Sequence, residues 1–157
     1  TFYNAVANNG EMVKPSFIKN IGSFGEDPVY EIDKEIIMPS ICSDETLKSV
    51  QIMLKNVVEK PWGTANNIYD KNIKIAGKTG TSQTGYASGE IEYVSSFVGY
   101  FPADNPKYSA IVVINKPDKS KGFYGNSVAA PVFKKVAQKI ITGIPIEIEI
   151  SKKDILF

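Results

Sequence analysis

Ile75-Ala76-Gly77-Lys78-Thr79-Gly80-Thr81-Ser82-Gln83 is the stretch on which the reading of this chain turns. It closes an apolar approach, beginning at Ile73, with a lysine, two glycines and several hydroxyls. The pattern predicts a strand over 73–81. Side chains alternate along a strand, so Lys78 and Gly80 face one side and Thr79 and Thr81 the other. A twist or bulge at Gly80 would relax that alternation. Glycines around Lys78 let another backbone approach closely, because no Cβ stands in the way. Lys78 is a point charge that can attract a carboxylate or hold a neighbouring hydroxyl. Thr79, Thr81 and Ser82 can donate to carboxylate oxygens. At a sheet edge, a free backbone amide of this strand can pair with an extended peptide or point at a developing oxyanion.

The surrounding pattern predicts an α+β fold, an antiparallel sheet with flanking helices. Tyr93 to Phe101 and Tyr108 to Asn115 read as strands joined by the Asp104-Asn105-Pro106 turn, an antiparallel hairpin. Gly99 marks a close approach in the first of them. Ile111-Val112-Val113-Ile114 in the second is apolar enough to be covered on both faces. A helix is expected over 44–58, with Ser43 as N-cap, Asp44 and Glu45 in its first turn, and Leu47, Val50, Leu54, Val57 and Val58 on one face. A last helix is expected over 127–142, with Pro131 in its first turn and Gly143 and Pro145 at its end. The chain opens in a helix that stops near Gly10. Residues 12–21 read as extended and 22–34 as a polar loop. Ile146-Glu147-Ile148-Glu149-Ile150 alternates as a short strand or a tail would.

Composition removes many chemistries. The chain has 157 residues, 43% hydrophobic and 22% charged, with net charge +1, the proportions of an ordinary globular domain. It holds no histidine, and all 18 basic residues are lysine. A Ser-His-Asp or Cys-His arrangement cannot be built from it, nor a histidine metal site. The absence of arginine removes the guanidinium fork for phosphate or guanine, and no basic run points to nucleic acid. Cys42, the single cysteine, forms no intrachain disulfide and reads as a small apolar residue. No cofactor and no metal are expected. No run is long and apolar enough for a membrane helix. The start inside a helix, without methionine, is expected of a fragment or a processed chain, with any anchor upstream.

Gly77-Lys78-Thr79 also resembles the end of a phosphate-binding loop. That loop needs a glycine where Asn72 stands, and a helix where Gln83-Thr84-Gly85-Tyr86 reads as a loop.

Longer stretches are more specific. Residues 75–83, then Ser96-Phe97-Val98-Gly99-Tyr100-Phe101-Pro102-Ala103, then Gly125-Asn126-Ser127-Val128-Ala129-Ala130-Pro131-Val132-Phe133 resemble the C-terminal half of a penicillin-binding protein transpeptidase domain of the monofunctional class B type. Asn4-Ala5-Val6-Ala7-Asn8-Asn9-Gly10 and Trp62-Gly63-Thr64-Ala65 fit the same pattern in the same order. The resemblance spans roughly residues 1 to 142, with 1–145 as part of one domain and 146–157 as a tail or short strand.

It implies a serine acyl-transferase of cell elongation or division that cross-links peptidoglycan stem peptides and is acylated by β-lactams. By resemblance, Lys78 and Thr81 are catalytic. Lys78 supports the hydroxyl and proton network, and the Thr81 amide forms half of an oxyanion hole. Thr79, Gly80, Thr81 and Ser82 bind substrate, with the Thr79 and Thr81 side chains on a carboxylate. The implied place is the bacterial cell envelope, outside the cytoplasmic membrane, in a membrane-anchored parent. A β-lactamase or β-lactam sensor of the same superfamily, and a non-catalytic module binding envelope partners, are the alternatives.

Only one of the family's three motifs is present. No Ser-x-Asn occurs. Ser16-Phe17-Ile18-Lys19 matches Ser-x-x-Lys, but it precedes Lys78 by only 62 residues and follows Pro15 in an extended segment. The nucleophile is therefore expected upstream, in an N-terminal remainder of the same domain, and the isolated chain is expected to be inactive. Tyr86 and Tyr93 flank a loop beside the strand, and Phe123, Tyr124 and Asn126 precede the last helix.

Overall fold

The computed structural model describes residues 1–22, 25, 29–86 and 89–143. The expected strand or tail at 146–150 lies outside them. The sheet is antiparallel with helices on its faces, as the sequence pattern predicts. Its strands are β5 (Ala76–Thr84), β6 (Glu92–Phe101) and β7 (Tyr108–Asn115), in the order β5-β6-β7. Helices α1 (Phe2–Ala7), α2 (Asp44–Glu59) and α3 (Gly125–Thr142) pack on it. Two small ladders lie outside: β1 (Met12–Val13) with β4 (Ile36–Met38), and β2 (Asn20–Ile21) with β3 (Tyr30–Glu31). Among the described residues, no helix is long and apolar enough to cross a membrane.

Each helix has a local cause. Asn9 and Gly10 turn left-handed after α1, with φ of 52° and 88°. The Gly10 amide then donates back to the Ala5 carbonyl at 2.8 Å, which closes the helix end. Ser43 Oγ accepts from the Thr46 amide at 3.3 Å and caps α2, with Asp44 and Glu45 in the first turn. Leu47, Leu54 and Val58 of α2 are buried at helical spacing, and Val50 and Val57 are half-buried beside them. Lys60 takes an extended conformation before Pro61 and ends the helix.

The sheet separates two apolar cores. On one face Phe97, Phe101 and Phe133 meet edge to face, with Phe97–Phe133 centroids 4.8 Å apart and Phe101–Phe133 5.6 Å. Ala129, Ala130 and Ala137 bring α3 close to the strands, and Val58, Ala65, Ile68, Ile73 and Ile75 complete this core. On the other face Val6, Leu47 and Leu54 cover Ala76, Tyr100 and Ala103. Each large side chain buried here contributes about 1.5–3 kcal/mol. The close approach expected at Gly99 is real: a Cβ there would lie 2.2 Å from the Ala76 carbonyl oxygen.

Four expectations are corrected. The site strand runs 76–84 rather than 73–81. The polar loop at 22–34 is too generous, because Tyr30–Glu31 pairs with Asn20–Ile21. Helix α3 starts at Gly125, so Pro131 lies beyond its first turn, where its missing amide leaves the Ser127 carbonyl without the usual helical donor. The apolar run in β7 is covered on one face only. Ala110, Val112 and Ile114 pack toward α3, whereas Ile111 is 62% exposed and Val113 46%.

Candidate active site

Among the described residues strand β5 is an edge, and its register against β6 runs without interruption from Ala76↔Tyr100 to Thr84↔Glu92. No bulge relaxes the alternation at Gly80. The Lys116 amide donates to the Tyr93 carbonyl at 2.9 Å, which fixes which β6 residues turn their backbone toward β7. That direction alternates along a strand. Val94, Ser96, Val98 and Tyr100 therefore turn toward β5, where their partners are Ser82, Gly80, Lys78 and Ala76. Gly77, Thr79 and Thr81 are left with N–H and C=O on the open edge. The Thr79 carbonyl agrees with this direction, since it accepts from Lys78 Nζ at 3.0 Å.

Lys78 is exposed and its ammonium bends back over the edge. Besides the Thr79 carbonyl it reaches Thr79 Oγ1 at 3.3 Å. An ammonium has three protons, so one remains for a ligand. Among the described residues, no carboxylate forms an ion pair with Lys78. The edge therefore presents one cation, the outward amides of Gly77, Thr79 and Thr81, and two threonine hydroxyls, a set suited to an extended peptide ending in a carboxylate.

The hydroxyls are held by neighbouring elements. Thr79 Oγ1 lies 3.3 Å from Thr64 Oγ1, in the turn after α2. Thr81 Oγ1 accepts the Gly125 amide at 3.0 Å. Gly125 itself sits against the sheet, where a Cβ would meet the Ser96 carbonyl oxygen at 2.4 Å and that of Gly80 at 2.6 Å. Ser82 is exposed, with its hydroxyl 3.5 Å from the Val94 carbonyl. The space beside Gly77 is filled by the protein, since a Cβ there would meet Val98 O at 2.5 Å and the Phe97 ring at 2.7 Å. Gly77 thus serves the packing of its own sheet, and a Cβ on Gly80 would meet the Ser96 hydroxyl at 2.5 Å.

An aromatic stack borders the far end of β5. Tyr93 lies on Phe123 at 4.0 Å, and Phe123 on Tyr124 at 4.4 Å. Ser95 Oγ donates to the Phe123 carbonyl and anchors this segment. Gln83 links Tyr93 and Tyr86, donating to the Tyr93 hydroxyl at 3.3 Å and accepting from that of Tyr86 at 3.0 Å. Asn126 contributes its carbonyl, which accepts from Asn67 Nδ2 at 2.7 Å. Spacing alone does not mark the roles of Thr64, Ser95 and Gly125, because these depend on contacts between distant segments.

Ser16 has no comparable setting. It lies between β1 and β2, and its hydroxyl donates to the Ile18 carbonyl at 2.6 Å, a local turn that opens no helix. A concavity of about 520 Å³ lies by the start of β6, lined by Glu90, Glu92, Tyr93, Lys116 and Lys119 among others, and includes none of the β5 residues. Cys42 is a free, half-buried thiol.

Comparison with known proteins gives this arrangement a context. The family model described as penicillin binding protein transpeptidase domain matches residues 1–138. The peptidoglycan D,D-transpeptidase FtsI of Buchnera aphidicola subsp. Baizongia pistaciae is 37% identical over 112 residues, covering 70% of this chain and 19% of that protein. The transpeptidase domain of the FtsI4 D,D-transpeptidase from Legionella pneumophila superposes with TM-score 0.62 at 30% identity, over 88% of this chain and 43% of that one. Penicillin-binding protein A from M. tuberculosis, solved as an imipenem acyl-enzyme complex, shares the fold with TM-score 0.69 at 16% identity, over 88% of this chain and 29% of its own. The chain spans about a fifth to a quarter of the length of the curated relatives it matches.

Proposed function

Because this chain belongs to the penicillin-binding protein transpeptidase family, we propose that it forms the substrate-aligning wall of a peptidoglycan D,D-transpeptidase whose nucleophilic serine lies upstream in the same domain. A stem peptide lies along the open edge of β5 and pairs with its outward backbone groups. Its terminal carboxylate meets the Thr79 and Thr81 hydroxyls and the remaining proton of Lys78. The serine oxygen attacks the peptide carbonyl, and the oxyanion that develops takes a hydrogen bond from the Thr81 amide. Loss of the terminal residue leaves an acyl-enzyme ester, which the amine of a second stem peptide resolves into the cross-link. β-Lactams enter the same site by presenting a carboxylate and a reactive carbonyl in a similar relation.

One observation carries this reading: Thr79 and Thr81 turn their backbone groups to an edge over which the Lys78 ammonium reaches the Thr79 carbonyl and hydroxyl. The proposed place of action is the bacterial envelope outside the cytoplasmic membrane, with anchoring supplied by another part of the parent.

The test is labelling with a fluorescent penicillin. The full-length protein is expected to form a covalent adduct that survives denaturation, and residues 1–157 alone are not. Labelling of the isolated chain at Ser16 would overturn the assignment of the nucleophile to an upstream segment. Rapid release of hydrolysed antibiotic by the full-length protein would favour a β-lactamase instead.

A further inference from the structure

Thr64 stands outside the motif on which the proposed reaction rests, yet its hydroxyl lies 3.3 Å from Thr79 Oγ1. We propose that Thr64 is a positioning residue for carboxylate recognition: it donates to Thr79 Oγ1 and thereby turns the Thr79 proton toward the ligand. This rests on the acyl-transfer reading above, in which Thr79 meets a carboxylate.

The argument is a count of donors and acceptors. A threonine hydroxyl has one proton and two lone pairs. Lys78 Nζ, 3.3 Å from Thr79 Oγ1, can only donate, so it occupies one lone pair. The contact between the two hydroxyls can run in either direction. If Thr79 donates to Thr64, no proton remains for a ligand. If Thr64 donates, both lone pairs of Thr79 are filled, and its proton is free for the open edge. An anion on that edge selects the second arrangement, because a hydroxyl bonded to a carboxylate is roughly twice as strong a pair as two neutral hydroxyls. Two incoming donors also polarise the Thr79 O–H and strengthen its own donation.

Thr64 is held in place by the core. The Gly63 amide donates to the Lys60 carbonyl at 2.8 Å, and the Ala65 amide to the Val57 carbonyl at 2.9 Å. A Cβ on Gly63 would lie 2.3 Å from the Val57 oxygen, so the turn lies directly against the end of α2. Ala65 is fully buried beside Val58 and Ile68. A turn fixed on both sides presents a hydroxyl at a constant position, which is what orienting a second hydroxyl requires.

The test uses full-length protein carrying Thr64→Val or Thr64→Ser, and two probes, benzylpenicillin and its methyl ester. The second-order acylation constant is measured for each. Thr64→Val is expected to slow acylation by the free carboxylate roughly three- to tenfold, the worth of one hydrogen bond, and to leave the ester within about twofold. Thr64→Ser restores the preference for the carboxylate. Equal losses on both probes would mean that Thr64 only supports its turn, and no loss on either that it does nothing here; both overturn the proposal. If neither probe acylates the unmodified protein, the acyl-transfer reading falls first and this inference with it.

Discussion

The amide of Gly125 donates to the hydroxyl of Thr81 at 3.0 Å, so a hydroxyl on the open strand caps the helix behind it. The first amides of a helix lack intrahelical acceptors, and Tyr124 at the N-cap provides no side-chain bond. Thr81 fills that role from another element while its own proton stays free. Site geometry and helix docking are therefore coupled through one oxygen. Thr81→Val is expected to destabilise the protein by about 1–2 kcal/mol and to slow penicillin acylation as well. Thr81→Ser should restore both. Denaturant unfolding and adduct formation on the same samples decide this, and a loss of activity without loss of stability counts against the coupling.

Gly125→Ala tests the same junction sterically. The added methyl meets two backbone oxygens, those of Ser96 and Gly80, which cannot rotate away. A loss of about 2 kcal/mol or more is expected, at the upper end for overpacking, with a lower unfolding midpoint in urea.

Lys78 is exposed and has no carboxylate partner among the described residues, so little of the folding energy depends on it. Lys78→Ala is expected to shift stability by less than about 0.5 kcal/mol. Its effect on acylation should be large, about 10²–10⁴-fold if it supports proton transfer. Calorimetry and single-turnover labelling separate the two quantities.

Asp104 sits between Lys55 and Lys74, whose hydrogen bonds hold its carboxyl down at about 2 from an ordinary 3.8. A depressed carboxyl contributes stability above its unfolded value and loses it as the pH falls toward the folded one. The contribution is thus complete above about pH 4 and fades between about 4 and 2. Asp104→Asn should flatten stability against pH in that window. Its size is small because the carboxylate is half exposed and screened by solvent.

Among the described residues, Ile111 and Val113 project from an uncovered part of β7, at the sheet edge opposite β5. An apolar edge without a neighbour pairs with other chains. Residues 1–157 alone are expected to self-associate with rising concentration, and Ile111→Lys with Val113→Lys to suppress it. Light scattering over a concentration series reads this out. A monomeric unmodified chain would show that the edge is harmless.

Hydrophobic periodicity predicts α2, β6, β7 and the body of α3, because each carries enough apolar residues for the period to stand out. It misses β3 and β4, which are two and three residues long and exposed at every position. It places the start of α3 at Ser127, whereas the helix starts at Gly125, whose amide is held by the Thr81 hydroxyl 44 residues before it in the chain. Lys78, Thr79 and Thr81 are visible as a motif since they are adjacent in sequence. Thr64 and Ser95 are not, because their partners lie 15 and 28 residues away. The continuous apolar run Ile111-Val112-Val113-Ile114 also predicts a β7 covered on both faces, but among the described residues Ile111 and Val113 stay exposed.

The glycines at 77, 99 and 125 leave backbone against backbone, or backbone against a ring, with no room for a single carbon between them. Such a wall is poor material for evolutionary retuning. A lineage exposed to a new inhibitor cannot reshape the strand from within without unpacking both layers. Heritable changes in ligand preference are thereby channelled to the rim, to Thr64 on its turn and to Tyr93, Phe123 and Tyr124 at the far end, where side chains can be exchanged while the sheet stays shut.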